Sequence, residues 1–66
     1  MNITVNGEAW ELPEGSALAD VLDRLSAPSS GVAVAVDGAV VPRARWPRTA
    51  LRPGACVEVL TAVQGG

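Results

Sequence analysis

The sequence predicts an α+β fold in which one helix packs across a small mixed sheet. Short β-prone segments recur along the chain and are separated by Asn-Gly, Asp-Gly and Pro-Gly dipeptides, which are strong turn signals. One segment alone has the apolar spacing of an amphipathic helix. With 66 residues, of which 48% are hydrophobic, the chain is long enough for one domain and too apolar for disorder. We therefore expect a single domain over residues 1–66.

The first two strands are predicted to form a hairpin. Ile3 and Val5 lie on one face of the first segment, and polar residues lie on the other. Asn6-Gly7 then favours a tight turn, because both residues tolerate positive φ. The returning strand covers residues 8–12, and the Pro-Glu-Gly sequence that follows ends it.

The helix is predicted to begin after Ser16, whose hydroxyl is suited to cap an unpaired amide of the first turn. Asp20, Asp23 and Arg24 fall on the solvent side of this helix. The predicted end is at Pro28, which cannot continue a helix. Its apolar stripe follows the i, i+3, i+4, i+7 pattern and consists of Leu18, Val21, Leu22 and Leu25.

Three further strands are predicted after the helix. Residues 32–36 are apolar on both faces, which is typical of a strand covered on both sides, so we expect this to be the central strand. Asp37-Gly38 then predicts a turn into a short strand at 39–41, which Pro42 ends.

Residues 43–51 have no regular pattern, and Pro53-Gly54 predicts a last turn. The closing strand at 56–61 directs Val57 and Val59 to the core. The element order ββαβββ, with one helix between two groups of strands, is that of a β-grasp.

Composition excludes several classes of function. The net charge of −2 argues against nucleic-acid binding, and every apolar run is far shorter than the ~20 residues that span a bilayer. No secretory signal is evident at the N-terminus, and the lone Cys56 cannot form an internal disulfide, so we expect a cytoplasmic protein. The absence of histidine and lysine removes the usual general bases and Schiff-base amines. We expect neither an enzyme nor a metal site.

The chain ends in Gly65-Gly66, which leaves an unhindered α-carboxylate. Because glycine lacks a Cβ, these residues pass through a channel only as wide as a bare backbone. The pair by itself favours the simpler interpretation of a frayed terminus, because the ends of domains are usually loosely ordered. If the last strand ends near Thr61, the flexible tail 62–66 reaches about 15 Å when extended. Val63 then either anchors the tail in an apolar groove of a partner or closes the sheet edge.

Motifs in the second half of the chain identify a resemblance to a specific family. The segment 34–46, with its Val41-Pro42-Arg43 sequence and Trp46 three residues later, is similar to the thiamine-biosynthesis sulfur carrier proteins, as are Leu51-Arg52-Pro53-Gly54 and the terminal glycine pair. These proteins are ubiquitin-like β-grasps, and the resemblance covers the whole chain. Gln64 is one departure, since many relatives have a small or apolar residue there.

The resemblance implies a carrier rather than a catalyst. In the family, a ubiquitin-activating-like adenylyltransferase consumes ATP to convert the C-terminal carboxylate, here that of Gly66, into an acyl adenylate. Sulfur from a cysteine desulfurase persulfide or a persulfide relay then gives a thiocarboxylate, which thiazole synthase accepts for the thiazole ring of thiamine. The resemblance thus implies that Val63, Gln64, Gly65 and Gly66 enter partner active sites, and that the carrier binds no cofactor.

Other residues are candidates for partner contacts. Leu60 is predicted to face away from Val57 and Val59, where an exposed apolar side chain would mark an interface. Arg43 is the most promising of the four arginines between residues 43 and 52. Cys56 has no neighbouring His or Lys to activate it, which favours a small buried role over a sulfur relay.

Two rival functions remain open from the sequence. One is sulfur donation to another acceptor, for molybdopterin, cysteine or tRNA thiolation. The other is a non-covalent β-grasp interaction module whose terminal glycines are incidental. Removal of Gly66 separates the second from a carrier, because only a carrier loses its function with that residue.

Overall fold

A computed structural model describes residues 1–27 and 30–61. In them, five strands and one α-helix occur in the predicted order: β1 (Asn2–Val5), β2 (Glu8–Glu11), α1 (Leu18–Arg24), β3 (Val32–Val36), β4 (Ala39–Val40) and β5 (Cys56–Thr61). A 3-10 helix, η1 (Arg43–Arg48), precedes β5. The predicted tail 62–66 and the predicted helix stop at Pro28 lie outside the described residues.

The five strands form one mixed sheet in the order β2-β1-β5-β3-β4. β1 and β5 are parallel, and the other pairs are antiparallel. This sheet, with one helix across it, is the predicted β-grasp. None of the helices in the described part of the chain is long and apolar enough to cross a membrane.

Both predicted hairpin turns are confirmed. Asn6 and Gly7 have φ values of 50° and 83°, and Asp37 and Gly38 have 52° and 86°. Positive φ at both central residues matches the right-handed twist of the paired strands. Asn, Asp and Gly are the residues that adopt this conformation at least cost, so the two dipeptides determine the turns locally.

The prediction that β3 is the central strand is wrong. β5 lies in the centre, because it pairs with β1 on one side and with β3 on the other. The outer face of β3 is also uncovered: Val34 is 1% exposed, whereas Ala33 on the opposite face is exposed. The continuous apolar run of β3 therefore reflects small alanines on an open face and not burial on both sides.

The start of α1 also differs from the prediction. Ser16 is not the N-cap; its hydroxyl donates to the carbonyl of Pro13 at 2.7 Å, and Ala17 occupies the cap position. The Leu18 amide donates instead to the Thr49 carbonyl at 2.8 Å, and the Ala17 amide donates to the Asp20 carboxylate at 2.9 Å. The Thr49 carbonyl, which lies far along the chain, thus accepts the hydrogen bond from a first-turn amide that the Ser16 side chain was predicted to accept.

The end of α1 comes earlier than Pro28. The Ser26 amide donates to the Asp23 carbonyl and the Ala27 amide to the Leu22 carbonyl, while Ser26 has φ 53°. This is a Schellman termination, in which the left-handed position is usually glycine. Because the helix stops there, Leu25 is 36% exposed, although the other three residues of the predicted stripe are buried.

The core lies between α1 and the inner face of the sheet. Ile3, Val5, Val57 and Val59 are buried as predicted. Residues 43–51 are not wholly irregular, since η1 directs Trp46 into this core. The Trp46 indole is 8% exposed and its Nε1 donates to the Val41 carbonyl at 2.9 Å.

Candidate functional site

The strand that leads to the predicted tail is held in the middle of the sheet. β5 alternates between the two faces, with Val57 and Val59 buried and Glu58 and Leu60 exposed. It ends at Thr61, and the predicted site residues Val63, Gln64, Gly65 and Gly66 follow it outside the described residues. The five residues after Thr61 therefore follow the central strand of the sheet.

An apolar surface covers part of the outer sheet face. Leu60 is 70% exposed and Val40 is 75% exposed. In the strand register Leu60 lies opposite Ala33 and Val40 lies opposite Ala35, so all four share one face. Because the two alanines are small, they form the floor of a shallow groove, which Asn6 and Glu58 also line. Glu58 lies opposite Ala35 in the strand register. We call Ala33, Ala35, Val40 and Leu60 the sheet patch.

The sequence identifies only part of this patch. The alternation of β5 places Leu60 opposite the buried valines, and the structure confirms its exposure. The exposure of Val40 was not predicted, because a strand of two residues is too short to show an alternation of buried and exposed positions. Ala33 and Ala35 were not predicted to belong to an exposed surface, because their strand was expected to be covered on both faces.

Arg43, the second predicted interface residue, lies on the other side of the molecule. It begins η1 and lines a cleft of about 300 Å³ between α1 and η1, together with Trp46, Leu22 and Asp23. Since α1 covers the inner sheet face, the structure does not bring Arg43 and Leu60 into one surface.

Cys56 does not have the predicted buried role. Its thiol is free and the residue is exposed at the start of β5. Its neighbours Ala55 and Val57 are the buried ones, at 4% and 0% exposure. The alternation of β5 therefore puts Cys56 on the outer face, with Glu58 and Leu60.

Two turn residues fix the position of β5, and the sequence gives no direct signal for this role. The Val59 amide donates to Asn6 Oδ1 at 2.8 Å, and the Cys56 amide donates to Asp37 Oδ1 at 2.9 Å. Asn6 and Asp37 each stand at the point where a neighbouring strand, β1 or β3, turns away from β5. Their side-chain oxygens accept the hydrogen bonds that backbone carbonyls of those strands would have accepted if the strands continued. The same side chains thus form the turns and hold the strand that leads to the C-terminus.

We expect Asn6→Gly to lower the free energy of unfolding by about 1 kcal/mol, because the turn keeps its positive φ while the Val59 amide loses its acceptor. Urea unfolding followed by circular dichroism measures the change. Asn6→Asp is the control, since it keeps both an acceptor oxygen and tolerance of positive φ, and should remain closer to the parent. Equal stability of the parent and Asn6→Gly would contradict the role of this contact.

Comparisons with known proteins agree with this architecture. The family model described as "ThiS family" matches residues 3–66. The Sulfur carrier protein ThiS of Escherichia coli (strain K12) is 26% identical over 66 residues, which is all of both chains.

Two solved structures of a thiamine biosynthesis protein (ThiS) from Geobacter metallireducens are also similar to this chain. The crystal structure has a TM-score of 0.81 with 30% identity and full coverage of both chains. The solution structure has a TM-score of 0.79 with 32% identity, over all of this chain and 88% of the other. With the family match over nearly the whole length, these findings show that the chain belongs to the ThiS family.

Proposed function

We propose that this chain is a sulfur carrier of thiamine biosynthesis and that the carboxylate of Gly66 carries the sulfur. The observation that supports this most strongly is the ThiS family match, which extends to residue 66 and so includes both terminal glycines. The similar E. coli protein is named a sulfur carrier, and the similar Geobacter protein is named for thiamine biosynthesis. The carrier is a co-substrate, and its partners catalyse the reactions.

The first proposed step activates the Gly66 carboxylate. An ionised carboxylate is inert to nucleophiles because its oxygen is a poor leaving group. A carboxylate oxygen attacks the α-phosphorus of ATP in an adenylyltransferase, and pyrophosphate leaves. The resulting acyl adenylate has AMP as its leaving group. The carrier binds no cofactor in this step, because the activating enzyme holds the ATP.

The second proposed step replaces oxygen by sulfur. A persulfide, produced by a cysteine desulfurase or a relay protein, attacks the Gly66 carbonyl carbon, and AMP leaves with the former carboxylate oxygen. The product is an acyl disulfide, which keeps the S–S bond of the persulfide. A thiol then cleaves that S–S bond, which yields the thiocarboxylate and a disulfide. The thiocarboxylate places negative charge on a nucleophilic sulfur that stays attached to the protein. Thiazole synthase is the proposed acceptor, and the cycle takes place in the cytoplasm.

In this proposal, the tail enters the partner's active site and the folded domain binds the partner's surface. Glycines at the terminus minimise the width of the segment that enters a partner site. The exposed sheet patch provides a candidate docking surface on the same strand that leads to the tail. Exposed apolar patches of this kind commonly mark protein–protein contacts. We propose that Leu60 binds the activating enzyme, so that docking and tail insertion occur together.

The acceptor assignment is tested with purified thiocarboxylate carrier and purified thiazole synthase. The proposal predicts that the thiocarboxylate is consumed and the sulfur appears in the thiazole product when the other thiazole precursors are present. A molybdopterin-forming acceptor, supplied in parallel, should leave the thiocarboxylate intact. Consumption by that acceptor, and not by thiazole synthase, would place the carrier in another pathway.

We expect Leu60→Ser to weaken binding of the activating enzyme about tenfold or more. Burial of a leucine side chain contributes about 1.5–3 kcal/mol, and a tenfold change in Kd corresponds to about 1.4 kcal/mol. Isothermal titration calorimetry measures the affinity, and thermal unfolding shows that the fold is retained. Leu25→Ser is the matched control, because Leu25 is an exposed leucine on the helix side. Equal weakening by both variants would count against the sheet patch.

A further inference from the structure

The Asn6-Gly7 turn combines exposure to water with a dipeptide that is prone to deamidation. Both residues are exposed, and a Cβ added at Gly7 would meet no atom within 4 Å, so water reaches the turn. An asparagine followed by glycine loses its amide readily, because glycine has no side chain to shield the attacking nitrogen. The other asparagine of the chain, Asn2, precedes the β-branched Ile3 within β1. Asn6 is therefore the asparagine most open to this reaction.

Deamidation at this turn needs water as its only co-reactant. The Gly7 amide nitrogen gives up its proton to water and attacks Asn6 Cγ; the bond from Cγ to Nδ2 then breaks, and ammonia leaves. In the resulting succinimide ring, the Gly7 nitrogen is bonded both to Cγ and to the backbone carbonyl carbon of Asn6. Water opens the ring at Cγ to give aspartate, or at the backbone carbonyl carbon to give isoaspartate. One water is consumed and one ammonia is released, with no oxidation or reduction.

The folded turn keeps the reacting atoms apart. The φ values of 50° at Asn6 and 83° at Gly7 are those of a type I′ turn, in which ψ of the first central residue is also positive. With both angles positive, the Gly7 nitrogen and Asn6 Cβ lie on opposite sides of the Cα–C bond. The succinimide ring requires them on the same side. The Asn6 backbone must therefore rotate about ψ before Cγ is attacked.

Two hydrogen bonds to β5 oppose this rotation. The Asn6 amide donates to the Val57 carbonyl at 2.9 Å, and Asn6 Oδ1 accepts from the Val59 amide at 2.8 Å. The central strand thus holds both the backbone and the side chain of Asn6. The attacking nitrogen is not held, since the Gly7 amide donates to no acceptor within residues 1–27 and 30–61. The contact between Asn6 and Val59 is therefore the one that must open.

We propose that Asn6 is a deamidation site that the fold protects through the hydrogen bond between Asn6 and Val59, and that isoaspartate at this position permanently disrupts the turn. Aspartate keeps both an acceptor oxygen and tolerance of positive φ. Isoaspartate routes the backbone through Cγ and so adds one methylene group to a two-residue loop. Because loop length fixes the register of a hairpin, the pairing of Val5 with Glu8 is then lost.

The test follows deamidation of the full chain by mass spectrometry, in the folded protein and in guanidinium chloride, at one pH and temperature. We expect Asn6 to react at least about tenfold more slowly in the folded protein, because only molecules with an open turn react. This slowing should agree within about tenfold with the slowing of hydrogen exchange at the Val59 amide, which the same opening exposes. Asn2 should remain unmodified under both conditions.

The Asp37→Asn variant provides a matched second site. Asp37-Gly38 forms the same turn, with φ values of 52° and 86°, and Asp37 Oδ1 accepts from the Cys56 amide at 2.9 Å. An asparagine there keeps the acceptor oxygen. We expect it to react as fast as Asn6 in denaturant and to be slowed likewise in the folded protein. The purified isoaspartate form at position 6 should unfold at a lower denaturant concentration than Asn6→Asp.

Four results would overturn the proposal. An unmodified Asn6 in the denatured chain would exclude the site. Equal deamidation rates in the folded and denatured chains would show that the turn gives no protection. Slowing of deamidation far smaller than that of Val59 exchange would show that the ring closes while the contact with Val59 is intact. Equal stability of the isoaspartate form and Asn6→Asp would show that the turn tolerates the longer backbone.

Discussion

Deletion of Gly66 should abolish sulfur loading and leave the fold unchanged. The shortened chain still ends in a glycine carboxylate, but that carboxylate is withdrawn by about 3.3–3.6 Å, the length of one extended residue. Reacting atoms must approach to about 3–3.5 Å, and a misplacement of 1 Å can already cost about 10²-fold in rate. We therefore expect the loading rate to fall at least 10²-fold. Intact-mass analysis over time gives this rate.

Two controls separate the position of the carboxylate from other effects of the deletion. Thermal unfolding of the shortened chain should match that of the parent, because the described core ends at Val59. Gly66→Ala keeps the chain length and the carboxylate but adds a methyl group, so its loading should be slowed and not lost. Full loading of the shortened chain would show that Gly66 is not the required terminus.

Replacement of Trp46 by alanine should unfold much of the protein. Truncation of a buried tryptophan costs about 3–5 kcal/mol, and the total stability of a chain of this size is about 3–10 kcal/mol. Trp46 is 8% exposed, and its indole Nε1 also donates a hydrogen bond to the Val41 carbonyl. Loss of the indole therefore affects both η1 and the end of β4. Urea unfolding followed by far-ultraviolet circular dichroism measures the change.

The other tryptophan provides the matched control. Trp10 is only partly buried at the edge of the core, and we expect Trp10→Ala to cost less than half as much as Trp46→Ala. Trp46→Phe keeps an aromatic ring but removes the bond to Val41, so a loss of about 1 kcal/mol is expected. Equal destabilisation by the two alanine variants would contradict the anchoring role of Trp46.

The local features of the fold were predictable from the sequence. Asn6-Gly7 and Asp37-Gly38 specify their turns because positive φ is a property of the residues themselves. The buried faces of β1 and β5 follow from alternation with period two.

The errors have long-range causes. The central strand is determined by the pairing of β1 with β5, which are separated by most of the chain and share no local signal. The prediction that Ser16 caps the helix was wrong because backbone groups of residues 49–51 form the hydrogen bonds at the start of the helix. The helix end was missed because Ser26 occupies a position where glycine is the usual signal.

The candidate site was predictable to the extent that it depends on alternation. Leu60 follows from the buried valines of β5, whereas Val40 and the two alanines required the register between strands. The exposure of Cys56 follows from the alternation of β5, which outweighed the general tendency of free cysteine to be buried.

The intact mass of the parent protein, after incubation with the activating enzyme, ATP and a persulfide source, tests the carrier function most directly. The proposed function predicts the exchange of one oxygen for one sulfur, located at Gly66 by fragmentation and dependent on ATP. An unchanged mass, with enzymes that load a known ThiS protein in parallel, would contradict the carrier function and favour a non-covalent interaction module.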